Sequence, residues 1–186
     1  GNARMRERPI VHLVESLRSF GAGVEILGEE GGPPVRVEGG GLPGGRGEIN
    51  GSQSSQYTSA VLLSAPYAQA DLELTFEDDV LVSRPYVDVT LSMMRHFGAQ
   101  AEWDPRDGRE CIQVKAGQTY SARDYAIEPD ASSAAYPFCA AAIAGGSVRV
   151  GGIPADSLQA DFKLLNLLEA MGCVVSRQGD EVEVRG

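Results

Sequence analysis

Four polar side chains that could bind a ligand lie just before an apolar segment: Ser52, Ser54, Ser55 and Gln56. The run 57–68 behind them predicts a helix that is packed nearly all round. The unpaired N–H groups and partial positive charge of a helix N-terminus favour a phosphate or carboxylate ligand. A serine at this place is also an ordinary N-cap, although capping needs only one hydroxyl. Anion binding and capping therefore both stay open.

Composition limits the classes of partner. The chain has 186 residues, of which 42% are hydrophobic and 23% charged, as is typical of one large or two small globular domains. A net charge of −10 without a basic stripe argues against nucleic acid and against an anionic membrane surface. No apolar run approaches the ~20 residues of a membrane span, and no signal peptide is recognisable. We therefore expect a cytoplasmic protein.

The cysteines and histidines do not indicate a metal site. Cys111, Cys139 and Cys173 are odd in number and lack C-x-x-C spacing, which favours buried thiols in a reducing compartment. His12 and His96 are the only imidazoles, and neither lies in a metal-ligand pattern.

The helices that would position the polar groups recur along the chain. Arg8-Pro9 opens a helix that ends near Gly21, and Arg84-Pro85 opens another that ends near Gly98. A third copy begins near Gln159 without the Arg-Pro signature. The recurrence at about 75 residues predicts an internal duplication.

The double serine recurs as well. Ser54 and Ser55 have a counterpart in Ser132 and Ser133, which precede the apolar helix predicted at 134–143. Asp130 stands just before the second pair, and its charge would oppose an anion. We therefore interpret the second double serine as a structural cap, and a place for Asp130 near the ligand cleft is the alternative.

Strands alternate with these helices, so the fold class is α/β. Alternating or β-branched runs predict strands at 24–27, 35–37, 71–76, 100–103, 111–115, 125–127, 148–150, 173–175 and 181–184.

The motifs resemble the enolpyruvyl transferase family, in particular its branch that acts on shikimate 3-phosphate. The segments that carry the resemblance are 4–10, 51–56 with its helix, 81–88 and 128–134. The sister branch that acts on UDP-N-acetylglucosamine would not be expected to show Ser-Ser-Gln together with Ser-Arg-Pro-Tyr. The resemblance implies two lobes of repeated βαβαββ units, an inside-out α/β barrel, of which this chain holds an incomplete part.

The resemblance also implies a reaction and a set of ligands. An enolpyruvyl group passes from phosphoenolpyruvate to the 5-hydroxyl of shikimate 3-phosphate, without a metal or an organic cofactor. Ser54, Ser55 and Ser83 would surround the 3-phosphate, and Tyr86 would line the shikimate pocket. Gln56 would reach both substrates, and Arg8 would hold phosphoenolpyruvate. No residue of the chain is identified as catalytic, and no metal ligand is expected.

Several of these residues can also have structural roles that involve no ligand. Arg4 and Arg6 are expected to be surface charges. Arg84 can simply contact a neighbouring acid, and Tyr86 can be a core aromatic with a solvated hydroxyl. The glycine-rich stretch 39–45 lacks the residues of a phosphate-binding loop, which favours a turn.

The chain covers less than half of the family pattern. Residues 1–128 resemble most of one lobe, and residues 129–186 resemble one unit of the other. We expect a fragment that does not turn over alone, and exposed apolar faces that favour self-association or a complementing chain. Two alternatives remain: a non-catalytic anion-binding or scaffolding module, and a transferase with a UDP-sugar acceptor.

Overall fold

The computed structural model describes residues 2–186, which form two compact units. The first unit extends to Arg123, and the second comprises Asp124–Gly186. The boundary predicted at residue 128 lies within the second unit. Within residues 2–186 no helix is both long enough and apolar enough to cross a membrane.

The first unit contains four α-helices and six strands among its described residues. In chain order they are α1 (Ala3–Arg6), α2 (Val11–Ser19), β1 (Val24–Ile26), β2 (Val35–Val37), β3 (Gly45–Gly51), α3 (Ser55–Ser64), β4 (Leu72–Leu81), α4 (Arg84–His96), β5 (Ala101–Trp103) and β6 (Cys111–Val114).

The elements from β3 to β6 form one βαβαββ unit, as the resemblance implied. Their sheet has the order β3-β4-β6-β5, in which β3 and β4 are parallel and the other neighbours are antiparallel. A parallel pair requires a crossover connection, and α3 provides it. β1 and β2 form a separate antiparallel hairpin.

The core of this unit lies between the sheet and its helices. β4 alternates as predicted, so that Leu72, Leu74 and Phe76 are fully buried against the helices. α3 buries Val61 and Leu62 in the same cluster, but it leaves Leu63 exposed. The expectation that this helix is packed nearly all round is therefore wrong for one face.

The second unit repeats the later part of the first. Its elements are α5 (Ala131–Ala144), β7 (Ser147–Val150), α6 (Leu164–Ala170), β8 (Val174–Gln178) and β9 (Glu181–Arg185). The antiparallel sheet order β7-β9-β8 corresponds to β4-β6-β5 of the first unit. α5 leaves Tyr136 and Ile143 exposed, so an apolar face is present here, as expected; self-association itself stays a prediction.

The strand predicted at 125–127 is wrong. Residues 121–130 form neither helix nor strand. Ile127 is 88% exposed, and no strand of the described residues pairs with this segment. A β-branched run predicts a strand only where a neighbouring strand accepts its hydrogen bonds.

Candidate anion-binding site at two helix N-termini

The parallel pair β3 and β4 brings two helix N-termini to the same edge of the sheet. Gly51 at the end of β3 lies opposite Leu81 at the end of β4, and the Val82 N–H donates to the Gly51 carbonyl at 3.0 Å. A Cβ at Gly51 would lie 2.3 Å from the Val80 carbonyl oxygen, so this close approach requires glycine. α3 and α4 begin within a few residues of these strand ends.

A side-chain contact links the two helices farther along. The hydroxyls of Ser59 in α3 and Thr90 in α4 lie 2.7 Å apart. The helices are therefore packed together, and both begin beside the paired ends of β3 and β4, where each has an N-terminal partial charge.

At the start of α3 the three predicted ligands have different roles. The Ser54 Oγ is the N-cap and accepts a hydrogen bond from the Gln56 N–H at 3.2 Å. Ser55 is 8% exposed, and neither its hydroxyl nor the Gln56 amide makes a side-chain hydrogen bond within residues 2–186. Capping is thus confirmed for Ser54, while the side chains of Ser55 and Gln56 take no part in the cap.

Ser52 belongs to the preceding turn. Its N–H and its hydroxyl both donate to the Asn50 Oδ1, at 3.1 Å and 2.6 Å. Asn50 in turn donates to Glu77 at 2.8 Å. Ser52 therefore shapes the entry to α3.

At the start of α4, Ser83 has a left-handed backbone with φ 57° and ψ 39°. It makes no capping hydrogen bond with its side chain, and within the described residues its hydroxyl has no other hydrogen-bond partner. The Tyr86 N–H donates to the Ser83 carbonyl at 3.0 Å. The Tyr86 side chain is 52% exposed, so the alternative of a core aromatic is wrong.

A contact from α3 fixes the segment that holds Arg8. The Tyr57 hydroxyl, in the first turn of α3, donates to the Pro9 carbonyl at 2.6 Å. A Cβ at Gly32 would lie 2.2 Å from the Arg6 carbonyl oxygen, so a second loop lies against the same segment. Arg8 is exposed, and its guanidinium has no ion pair with any residue of the 2–186 range.

Other arginines are already paired. Arg4 forms an exposed ion pair with Glu7 at 3.0 Å, which confirms that it is a surface charge. The Arg84 Nη1 lies 2.5 Å from the Glu110 Oε1, and its guanidinium carbon lies 4.0 Å from the centre of the Trp103 ring. The expected acid beside Arg84 is therefore Glu110, and sequence reasoning did not identify the ring.

The second double serine is not equivalent to the first. The N-cap of α5 is Asp130, which accepts hydrogen bonds from the Ser132 and Ser133 N–H groups, both at 3.2 Å. The Ser133 hydroxyl also donates to Asp130, and this bond lowers the pKa of the carboxyl. A structural cap is confirmed, but Asp130 provides it. Ser54 and Ser55 precede and open their helix, whereas Ser132 and Ser133 lie inside theirs.

An acidic groove on the first unit is unsuited to an anion. A cavity of about 580 Å³ is lined by Glu48, Glu77, Asp78, Asp79 and Arg109. Arg109 lies 3.0 Å from Asp79 and 3.7 Å from Glu48, so its charge is already neutralised. Within residues 2–186 no cluster of His, Cys, Asp and Glu is arranged to hold a metal ion.

Comparison with known proteins gives the same family. A family model described as EPSP synthase (3-phosphoshikimate 1-carboxyvinyltransferase) matches residues 1–186. A relative of that name from Methanoculleus marisnigri is 46% identical over 184 residues, which are 99% of this chain and 42% of that protein. One from Photobacterium profundum is 47% identical over 189 residues, covering 97% of this chain and 43% of that protein.

Solved structures show the same fold. An EPSP synthase from Acinetobacter baumannii superposes with a TM-score of 0.76 at 24% identity, over 100% of this chain and 41% of that chain. The chain belongs to the EPSP synthase family. It spans about two fifths of the length of the curated relatives that it matches, 42% in the first case.

Proposed function

We propose that this chain supplies the acceptor side of an active site that transfers an enolpyruvyl group from phosphoenolpyruvate to the 5-hydroxyl of shikimate 3-phosphate. The paired N-termini of α3 and α4 carry the proposal. They present two hydroxyls, of Ser55 and Ser83, that no protein group within residues 2–186 uses. The name shared by the relatives favours a phosphorylated shikimate over a UDP-sugar as acceptor.

The 3-phosphate binds to neutral donors. Ser54 accepts a hydrogen bond from the Gln56 N–H, so its own O–H proton remains available to donate to a phosphate oxygen. Ser55, Ser83 and the first N–H groups of both helices complete the set. Together the two helix ends present about one unit of positive charge. This local field offsets the repulsion that the net charge of −10 exerts on an anionic substrate.

The remaining predicted ligands, Gln56, Tyr86 and Arg8, would bind the parts of the substrates beyond the 3-phosphate. Gln56 and Tyr86 are exposed at the same two helix starts, where an amide and a phenol can bind the hydroxyls of the shikimate ring. Arg8 can bind the carboxylate or phosphate of phosphoenolpyruvate through two parallel N–H donors. The Tyr57–Pro9 hydrogen bond keeps its segment beside α3.

Turnover requires further segments. Enolpyruvyl transfer needs a general acid–base group and cations around the departing phosphate, and no residue in this chain is assigned to those roles. We therefore expect no phosphate release from the 186-residue chain alone. A second chain that carries the missing segments should restore it, whereas a non-catalytic module would stay inactive after the same addition.

The thiols support a cytoplasmic location as part of this proposal. Cys111 is buried, Cys139 and Cys173 are partly buried, and none of the three forms a disulfide. Burial raises the pKa of the Cys111 thiol, which keeps it protonated and unreactive.

The test of the acceptor site is a thermal shift with shikimate 3-phosphate, with shikimate and inorganic phosphate as comparison ligands. A ligand at 100 times its Kd adds about 2.7 kcal/mol if it binds only the folded state. Ser55→Ala should abolish most of the shift, and Ser132→Ala, from the other double serine, should keep it. An equal shift in both variants would refute the assignment of the site.

A second measurement tests Arg8. In a calorimetric titration of the shikimate 3-phosphate complex with phosphoenolpyruvate, Arg8→Gln should weaken binding about tenfold or more, because one charge-assisted pair is lost. Arg4→Gln is the matched control, since Arg4 is exposed and paired with Glu7. Equal affinities for the two variants would exclude Arg8 from the site.

A further inference from the structure

We propose that Arg84, Trp103 and Glu110 form a positioning unit that holds the first turn of α4, and with it Ser83, in the geometry that binds a phosphate. The inference rests on the proposed function. Arg84, Trp103 and Glu110 do not themselves contact the substrate in this proposal. They hold Ser83, which does.

The contacts fasten α4 to the strand beside it. The Arg84 guanidinium lies over the face of Trp103, with 4.0 Å from its central carbon to the ring centre. The Trp103 Nε1–H donates to the Asp88 Oδ1 at 2.8 Å. Arg84 and Asp88 are four residues apart and therefore share one face of the helix. Two successive turns of α4 thus contact a single indole at the end of β5.

Glu110 restrains the same guanidinium through an ion pair. Its Oε1 lies 2.5 Å from the Arg84 Nη1. Its Oε2 is buried and has no hydrogen-bond partner within residues 2–186. Arg84 is accordingly the only cation in the described chain that pairs with this carboxylate, and the pair fixes the direction of the arginine side chain.

The backbone of Ser83 explains why such a support is needed. A residue other than glycine seldom adopts a left-handed conformation, and it does so only where the surroundings enforce it. On the upstream side the Val82–Gly51 hydrogen bond restrains the chain. On the downstream side the next residue is Arg84, whose side chain is held by the ring and the carboxylate. Ser83 itself makes no capping bond that would serve instead.

The planar shape of the guanidinium matters as much as its charge. A lysine at this position would keep an ion pair with Glu110 but would lose the stacked plane over Trp103. A positioning role therefore predicts that Arg84→Lys restores only part of what Arg84→Gln loses. A purely electrostatic role predicts full restoration.

The experiment combines hydrogen exchange with ligand titration on the 186-residue chain. The variants are Glu110→Gln, Arg84→Gln and Arg84→Lys, and the control is Asp104→Asn, which removes the carboxylate of a neighbouring exposed pair with Arg106. Exchange at the Tyr86 and Val87 amides should be faster in Glu110→Gln than in the wild type or the control. Affinity for shikimate 3-phosphate should fall about tenfold, while the midpoint of unfolding stays close to that of the control.

Trp103 provides a direct readout because it is the only tryptophan in the sequence. Titration with shikimate 3-phosphate should change the Trp103 emission, with the same dependence on ligand concentration that calorimetry gives. Unchanged exchange in Glu110→Gln would overturn the inference, whether or not the ligand binds. Faster exchange with unchanged affinity would overturn it too. A wild-type chain that binds no shikimate 3-phosphate would instead refute the proposed function, and exchange alone would then decide whether the three residues hold the turn.

Discussion

Replacement of Ser83 by glycine should separate stability from ligand binding, because the two depend on different atoms of the residue. The left-handed backbone of Ser83 costs about 1–2 kcal/mol for a residue with a Cβ, and glycine removes this cost. Glycine adds about 0.4–1 kcal/mol of conformational freedom to the unfolded chain. The expected net gain in the free energy of unfolding is thus about 0–1.6 kcal/mol, with a midpoint of about 0.8 kcal/mol. Ser83→Ala keeps the strain and should stay within about 0.5 kcal/mol of the wild type.

Both variants lose the hydroxyl, and a hydrogen bond to a charged group contributes about 1.5–3 kcal/mol. Affinity for shikimate 3-phosphate should therefore fall about ten- to a hundredfold in each. Urea unfolding followed by Trp103 emission reports on the first unit, and calorimetry measures the affinity. A glycine variant less stable than the alanine variant, or wild-type affinity in either one, would refute the reasoning.

Three further changes test other parts of the chain. Tyr57→Phe removes the 2.6 Å bond to the Pro9 carbonyl and should cost about 0.5–1.5 kcal/mol. Trypsin should then cleave faster after Arg6 in the same segment, and an unchanged rate would contradict the contact. Leu74→Ala, at a fully buried position, should lower the free energy of unfolding by about 2–5 kcal/mol in urea. Glu183 has its pKa lowered from 4.5 to about 2, first by the Ser147 hydroxyl, so its stabilising effect is complete above pH 4.5 and is lost as pH falls toward 2. In Glu183→Gln the melting temperature should accordingly fall less between pH 4.5 and pH 2. An unaltered fall would show that the Glu183 carboxylate does not stabilise the fold in this range.

Local patterns predicted the elements that carry the site. Proline after arginine marked the starts of α2 and α4, and the double serine marked the start of α3. These signals depend on a few adjacent residues, and helix starts are determined at that range. The resemblance then supplied roles for Ser54, Ser55 and Ser83 that spacing alone left open; those roles stay predictions.

Contacts between distant residues were not predictable in this way. Tyr57 and Pro9 are 48 positions apart, and the bond between them depends on the packing of α2 and α3. Arg84 and Glu110 are 26 positions apart. The sequence predicted an acid beside Arg84 but did not indicate which one. The contacts that hold the helix starts thus required coordinates, whereas the candidate ligands were named from the sequence and stay predictions.

One strand prediction was wrong and another was too short. The strand predicted at 71–76 is present as β4, but it continues to Leu81, with Asp78 and Asp79 in left-handed conformations. The run 125–127 has strand-forming residues but remains irregular and exposed. The second case shows that strand-forming residues need a neighbouring strand to pair with, in addition to their propensity.

The two capping residues suggest how a duplicated sequence can divide its tasks. A helix capped by Asp130 carries its own counter-ion, so its end is stable without any outside molecule. A helix capped by Ser54 has its donors satisfied only in part, and an incoming anion can complete them. After duplication, one copy could therefore become self-sufficient while the other kept an exchangeable partner. One capping residue in each copy is enough to make that difference.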